Sequence, residues 1–155
     1  MVTQDFYNLL ISDEELNTLL GSTITDSKIY PMQMPLDSTL PVIIYRTVDE
    51  GTIDENINEA IIHFDCISDN CTTAMAIQDR VRILLDVQDD IDNEIPYGIN
   101  RYCYSKSEMS FNFKEQILDI FHCIIGFFVK YLRYGYLVQE NSFYILQENE
   151  GYIRL

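Results

Sequence analysis

Residues 59–87 read EAIIHFDCISDNCTTAMAIQDRVRILLDV, and this stretch contains the clearest strand and helix signals in the chain. Apolar side chains alternate over residues 59–67, which is typical of a strand with one buried face. Residues 68–70, SDN, form a turn whose side chains can cap the start of a helix. Residues 71–87 then predict an amphipathic helix that packs against a sheet. Its apolar stripe consists of Ala74, Ile77, Val81, Leu84 and Leu85.

The residues before this stretch predict a second strand that pairs with it. Residues 41–48, PVIIYRTV, are rich in β-branched side chains, and Pro41 stands at the first position, where no ladder donor is needed. A polar connection over residues 49–58 separates the two strands and contains four acids. We expect an antiparallel hairpin with a long connecting loop.

The N-terminal part predicts helix, followed by an extended connection. Apolar residues recur at helical spacing over residues 3–20, and Gly21 stands where a C-terminal cap is expected. Residues 12–15, SDEE, can restart a helix, so one helix and two short helices are both open. Residues 22–40 contain two prolines and little periodicity, which predicts a connection with at most a short strand near Ile29.

The residues after the amphipathic helix predict further strands. Residues 88–98 form an acidic loop, and residues 99–104 and 109–113 predict two strands. Residues 117–131 predict a long strand with apolar side chains on both faces. Such a strand is either central in its sheet or covered by a neighbouring subunit.

The order of elements predicts one α+β domain over residues 1–155. Its core spans about residues 3–131, where a mainly antiparallel sheet of about four to six strands packs against two helices. Residues 134–155 alternate weakly and predict a C-terminal hairpin extension with its turn at residues 140–142. The length of 155 residues is that of one ordinary domain, and 47 % hydrophobic residues are ample for a core.

The charge of the chain limits the partners that it can bind. The 25 acidic and 10 basic side chains give a formal net charge of −15. Such a surface repels phosphate backbones and anionic membranes, so we expect no specific nucleic-acid binding and no membrane partner. Solubility alone explains the acidity; the alternative is a surface that must not adhere to nucleic acid passing close by. Alternation along a strand explains the one loose basic group, Arg101, Lys106 and Lys114, with its aromatic neighbours.

Residues with catalytic or metal-binding chemistry form no recognisable pattern. The four cysteines include no C-x-x-C pair, and Cys66 and Cys123 lie in apolar runs that suit buried free thiols. His63 and His122 each lie in a predicted strand, where a structural role is expected. No nucleotide-binding, serine-hydrolase or zinc-protease motif is present. We therefore expect no enzyme, no catalytic residue, no cofactor and no bound metal.

The two acidic loops are the remaining candidates for a site. Asp90, Asp92 and Glu94 alternate as in a calcium loop, but Ile95 and Arg101 stand where the glycine and the closing glutamate are required. The acids of the loop between the paired strands lack the tryptophan that sugar-cleaving sites usually use, since the chain contains none. We interpret both loops as solvated.

Three parts of the chain resemble the tail-completion, or tail-terminator, proteins of long-tailed bacteriophages. The first is LPVIIY, residues 40–45, the entry into a strand. The second is the strand of residues 59–67, which runs through its capped turn into the amphipathic helix, and the third is the apolar strand of residues 121–131. With the N-terminal helix, the resemblance covers roughly residues 3–131, and the residues from 134 onwards depart from the shorter family pattern.

The resemblance implies a structural virion protein at the junction of head and tail, assembled in the host cytoplasm. It implies a ring, usually a hexamer, that caps the tail tube, stops its polymerisation and joins it to the head connector. The partners are then further copies of the chain, the tail-tube protein and the connector or stopper protein, while DNA passes through the channel. The candidate channel- or partner-facing residues are Asp49, Glu50, Asp54, Glu55, Asp86, Asp89, Asp90, Asp92 and Glu94.

Two alternative functions stay open. One is a different virion component with a similar sheet, either a tail-tube subunit or a connector stopper. The other is a small intracellular enzyme or binding domain, which would need a deep pocket with His63 or His122 beside a cysteine.

Overall fold

The computed structural model describes residues 2–53, 57–86 and 103–132, together with 144–146 and 152–154. Within these residues the chain forms three helices and seven strands. The helices are α1 (Val2–Ser12), α2 (Glu14–Leu20) and α3 (Cys71–Leu85). The strands are β1 (Ile29–Pro31), β2 (Val42–Thr52), β3 (Ile57–Ser68), β4 (Cys103–Glu115), β5 (Ile120–Leu132), β6 (Tyr144–Leu146) and β7 (Tyr152–Arg154).

Five of the strands form one sheet in the order β1-β2-β3-β5-β4. β1 runs parallel to β2, whereas β2–β3, β3–β5 and β4–β5 are antiparallel. β3 and β5 lie inside the sheet, and the apolar side chains on both faces of β5 agree with its position between two strands. The predicted α+β class with a mainly antiparallel sheet is confirmed.

The N-terminal helix is interrupted at Asp13. The Asp13 carboxylate accepts a hydrogen bond from the Leu16 amide at 2.8 Å and so caps α2. α2 ends at Gly21, whose φ of 61° is a left-handed conformation that costs glycine little. Arg80 of α3 donates to both Asp13 oxygens, at 2.9 and 2.7 Å, and so ties the break to the longer helix. The open alternative is therefore settled as two short helices, which makes three helices where two were predicted.

Helix α3 begins where the sequence predicts. Asn70 caps it by accepting a hydrogen bond from the Thr73 amide at 3.1 Å. Ile77, Val81 and Leu85 of the predicted stripe are fully buried. The helix ends at Leu85, slightly before its predicted end.

The sheet has two unlike faces, which we call inner and outer. The inner face packs with residues of all three helices in one hydrophobic cluster. Its fully or almost fully buried side chains on β3 and β5 are Ala60, Ile62, Phe64, Cys66, Cys123, Ile125, Phe127 and Val129. The outer face carries the alternating residues, among them the half-buried His63, His122 and Phe128.

Strand β2 is longer than the sequence predicts. Asp49 and Glu50, predicted to lie in a loop, belong to β2 and pair with β3. The register shifts between Thr47 and Asp49, so Val48 is the extra residue of a β-bulge. Acidic residues are depleted in strands, and the loop prediction was wrong at these positions because pairing with β3 overrides that preference.

Strand β4 is continuous, although residues 99–104 and 109–113 predicted two separate strands. It pairs with β5 along its whole length, and a register shift leaves Glu108 as the extra residue of a bulge. The polar residues between the predicted strands remain extended because the ladder to β5 satisfies their backbone. Residues 99–102 lie outside the described residues.

Strand β5 begins at Ile120, because residues 116–119 form the turn of the β4–β5 hairpin. Apolar periodicity had placed Ile117 and Leu118 in the strand, yet they are 91 % and 63 % exposed at the turn. Asp119 has a φ of 54°, which ends the turn in a left-handed conformation. The strand prediction was therefore too long at its start.

The C-terminal extension contains a hairpin. Tyr144–Leu146 pairs antiparallel with Tyr152–Arg154, so the connection of this hairpin spans residues 147–151. The predicted turn at residues 140–142 lies outside the described residues. Weak alternation leaves strand register poorly specified, which is why the sequence did not indicate this pairing.

Candidate interaction surface

Asp49 and Glu50 occupy neighbouring positions near the end of β2, where the strand has passed its short partner β1. They therefore point to opposite faces of the sheet. Both residues are exposed, and Glu50 accepts a hydrogen bond from the hydroxyl of Tyr131 on β5. The pair gives the β2 side of the sheet an exposed acidic end.

Asp86 has a structural contact. Its carboxylate accepts hydrogen bonds from the Ser107 amide at 3.2 Å and the Ser107 hydroxyl at 2.9 Å. These bonds join the end of α3 to β4. The other six candidate residues lie outside the described residues: Asp54, Glu55, Asp89, Asp90, Asp92 and Glu94.

The histidines and the buried cysteines lie on opposite faces of the sheet. Cys66 and Cys123 belong to the inner face, whereas His63 and His122 belong to the outer face. Burial raises the pKa of the Cys66 thiol well above its usual range and that of Cys123 to about 11. Both thiols are therefore protonated at neutral pH, and these residues do not form the cysteine–histidine pair that an enzyme would have needed.

His122 joins three strands through its ring nitrogens. Nδ1 lies 2.8 Å from Oδ2 of Asp65 on β3, and Nε2 lies 3.3 Å from Oε2 of Glu115 on β4. Burial raises the pKa of Asp65, while the hydrogen bond from His122 acts in the opposite direction. The cluster holds one imidazole between two carboxylates on the outer face.

Three side chains of β4 form an apolar strip beside this cluster, and we call Met109, Phe111 and Phe113 the β4 strip. The Phe113 ring stacks on His122 with centroids 4.7 Å apart, and the Phe111 ring stacks on Phe113 at 5.8 Å. Met109, Phe111 and Phe113 are 37 %, 49 % and 44 % exposed. Aromatic rings held in place but half exposed are typical of interaction surfaces.

His63 packs closely over Gly126. A Cβ on Gly126 would lie 3.0 Å from Cδ2 of His63, so a side chain at this position of β5 would require the His63 ring to shift. Burial lowers the pKa of His63, and the charge of Arg46 lowers it further. Burial and the Arg46 charge therefore disfavour the protonated imidazole on this half-open face.

The loose basic group does not form a single patch. Lys106 pairs with Phe128 and lies on the outer face, whereas Lys114 pairs with Phe121 and lies on the inner face. Lys114 also forms an ion pair with Asp119, with 2.5 Å between Nζ and Oδ1. Arg101 lies outside the described residues. These two lysines therefore do not line one groove with the aromatic rings.

The described part of the chain contains no group of three or more histidine, cysteine, aspartate or glutamate residues that could hold a metal ion. The predicted acidic loop of residues 88–98 is outside that part. Among the helices that the structure describes, none is long and apolar enough to cross a membrane.

Comparison with known proteins gives a fold relationship. No family model matches the chain, and no curated protein matches it. A solved structure described as "Virion of native gene transfer agent (GTA) particle" contains a chain of similar fold, with a TM-score of 0.57 and 15 % sequence identity. The match covers 82 % of this chain and 91 % of the other. The same fold occurs in a virion.

The sequence did not predict two features of this surface, the His122 cluster and the exposure of the β4 strip. The His122 cluster draws its members from three strands, and no spacing in the sequence brings Asp65, Glu115 and His122 together. The β4 strip had a visible signal, the alternation of residues 109, 111 and 113. Alternation indicates a shared face, but it does not show whether that face is covered.

Proposed function

We propose that this chain is a structural virion protein that forms a ring, usually a hexamer, at the junction of head and tail. The ring caps the tail tube, stops its polymerisation and joins it to the head connector, and DNA passes through its channel. Its partners are further copies of the chain, the tail-tube protein and the connector or stopper protein.

The similarity in fold to a chain of a virion is the main support for this proposal. The similar chain belongs to a virion, and the match includes 91 % of that chain, so it involves a whole fold and not one shared hairpin. The proposal agrees with the outer face, where the residues available for contact are stacked aromatic rings and charged side chains. The protonated thiols, which lie away from the histidines, supply no nucleophile that would favour an enzyme.

The charge of the chain supports passage of DNA. A formal net charge of −15 gives a channel wall that repels phosphates, so DNA would slide past it without being retained. We propose that the exposed Asp49 and Glu50, with Asp54, Glu55, Asp89, Asp90, Asp92 and Glu94, face the channel or a partner, which can be the next copy of the chain. Asp86 is the weakest member of this set, because both of its oxygens bond to Ser107.

The position and copy number of the chain in a particle test the proposal. We expect an electron cryomicroscopy map of the assembled particle to place one ring of the chain between tail tube and head connector. Disruption of its reading frame should yield separate heads and tails, with tubes of irregular length, and an intact copy supplied separately should restore joined particles.

The alternative virion roles give different maps. A tail-tube subunit would appear in many stacked rings along the tail, and a connector stopper would contact the head side without ending the tube. Either result, or absence of the chain from purified particles, would contradict the terminator function.

A further inference from the structure

The β4–β5 hairpin exposes more apolar side chain than its place in the fold requires. β4 is the last strand on one side of the main sheet, and the β4 strip lies along it. Ile117 and Leu118 extend the exposed apolar surface around the turn. Large apolar side chains grouped at the border of a sheet are typical of a protein–protein contact.

Charge points to the kind of partner. Residues 103–132, the β4–β5 hairpin, contain three acids and three basic residues, so the formal net charge of −15 belongs entirely to the rest of the chain. Copies of a chain with this charge repel one another over most of their surface. The neutral hairpin is the part that a second copy can approach without that repulsion.

The complementary surface lies at the opposite side of the same sheet. Residues 42–68, the β2–β3 hairpin, contain six acids and one arginine. Asp49 and Glu50 lie where β2 has passed the end of β1, which pairs only with residues 43–45. A neutral, apolar border with exposed lysines and an acidic border therefore stand on opposite sides of one subunit.

We propose that the β4–β5 hairpin of one copy, through the β4 strip and Lys106, packs against the acidic end of the β2–β3 hairpin of the next copy. The two contact surfaces differ, so each subunit binds one neighbour with each side. Such head-to-tail contacts close into rings when the rotation between subunits permits. This contact deepens the proposed function by naming the subunit interface, and it rests on that function for the closed ring.

Mass measurement of the purified chain of 155 residues and its variants tests the contact. Phe111→Ser changes the hairpin surface and Asp49→Lys changes the acidic surface. Each variant alone should associate about tenfold or more weakly than the wild-type chain, as expected for residues in the centre of an interface. Matched controls are Ile83→Ser, at a 69 % exposed position of α3, and Asp37→Lys, at an exposed position before β2; both should associate like the wild type.

Mixing the two impaired variants gives the sharpest result. Phe111→Ser retains a sound acidic surface and Asp49→Lys retains a sound hairpin, so the mixture should form dimers containing one of each. An Asp49→Lys variant that associates like the wild-type chain, as it would if two hairpins met each other, overturns the proposal. A mixture that stays monomeric, as it would if the C-terminal residues of the same chain covered the strip, overturns it as well. So does a wild-type chain that remains monomeric at about 1 mM. Thermal unfolding of each variant is the control for folding: a variant that associates weakly but unfolds at the wild-type temperature has lost the contact and not the fold.

The contact and the proposed function fail separately. A map with the chain at the head–tail junction, combined with a failed mixing experiment, would remove the contact and leave the function. Mixed dimers from a chain found elsewhere in the particle would remove the function and leave the contact.

Discussion

Successive residues of β3 and β5 point to opposite faces of the sheet, and the two faces differ in what they contain. On the inner face Phe64 and Phe127 are buried, and their rings meet edge to face at 5.8 Å. On the outer face His122 bridges two carboxylates, and Phe113 stacks on it while remaining half exposed. The same strands therefore supply both the stability of the fold and a separate surface available for recognition.

The largest expected effect comes from emptying the inner face. Phe127→Ala should lower the free energy of unfolding by about 3–5 kcal/mol, because it removes a buried ring and leaves a cavity. Phe113→Ala is the matched change on the outer face and should cost less than half as much. Urea unfolding of both variants measures the difference, and equal losses would show that the outer face is as buried as the inner one.

A smaller effect is expected from the buried polar group of the inner face. Nε2 of Gln78 donates to the Ile124 carbonyl at 2.8 Å and to Oδ1 of Asn112 at 3.1 Å. Gln78→Leu should lower the free energy of unfolding by about 1–3 kcal/mol, because the two acceptors lose their donor. Thr72→Leu, at an exposed position of the same helix, is the control in the same urea titration. If both variants unfold alike, these hydrogen bonds do not stabilise the packing of α3.

The next effect tests the close contact on the outer face. Gly126→Ala should lower the free energy of unfolding by about 1–2 kcal/mol, since the new methyl group would press on the His63 ring. Adding His63→Ala should restore most of the loss, because the two residues are in contact and their effects are not additive. No recovery in the double variant would mean that the strand itself, and not His63, excludes a side chain.

The smallest effect is a pH dependence confined to the outer face. Burial and Arg46 lower the pKa of His63 below 6.5, so the unfolded chain binds this proton more readily than the folded chain. His63 therefore makes the free energy of unfolding rise with pH between its folded pKa and 6.5, and stability falls as the pH drops through that window.

Urea midpoints measured across that pH window check this dependence. His63→Gln should reduce the slope, whereas Asp37→Asn, at an exposed position, should leave it unchanged. An unchanged slope in His63→Gln would assign the dependence to another group. Asp65 would not account for it, because its raised pKa makes stability fall as the pH rises from 3.8 towards its folded pKa.

Much of the fold was predicted because its signals are local. The strand and the helix of residues 59–85 each follow a period set by their own backbone, and the Asn70 cap lies between them. The wrong predictions of strand boundaries lie where pairing with a partner strand determines the conformation. Asp49 and Glu50 are residue types typical of loops, yet pairing with β3 keeps them extended. β4 remains one strand because it pairs with β5 along its whole length.

The candidate site was harder to predict than the fold. Its acidic residues were selected by charge alone, and charge does not reveal that Asp86 bonds to Ser107 or that Glu50 accepts the Tyr131 hydroxyl. The single domain over residues 1–155 and the channel-facing role of the acids stay predictions.

Periodicity, capping residues and charge are properties of neighbours along the chain, so the α+β class, the α3 boundary and the acidity followed from them. The order of the strands, the bulges at Val48 and Glu108 and the meeting of His122 with Asp65 and Glu115 required the assembled sheet. These features depend on residues far apart in the chain, and packing against the three helices determines which face of β3 and β5 forms the core. The tertiary structure thereby decided which apolar residues form the core and which remain exposed on β4.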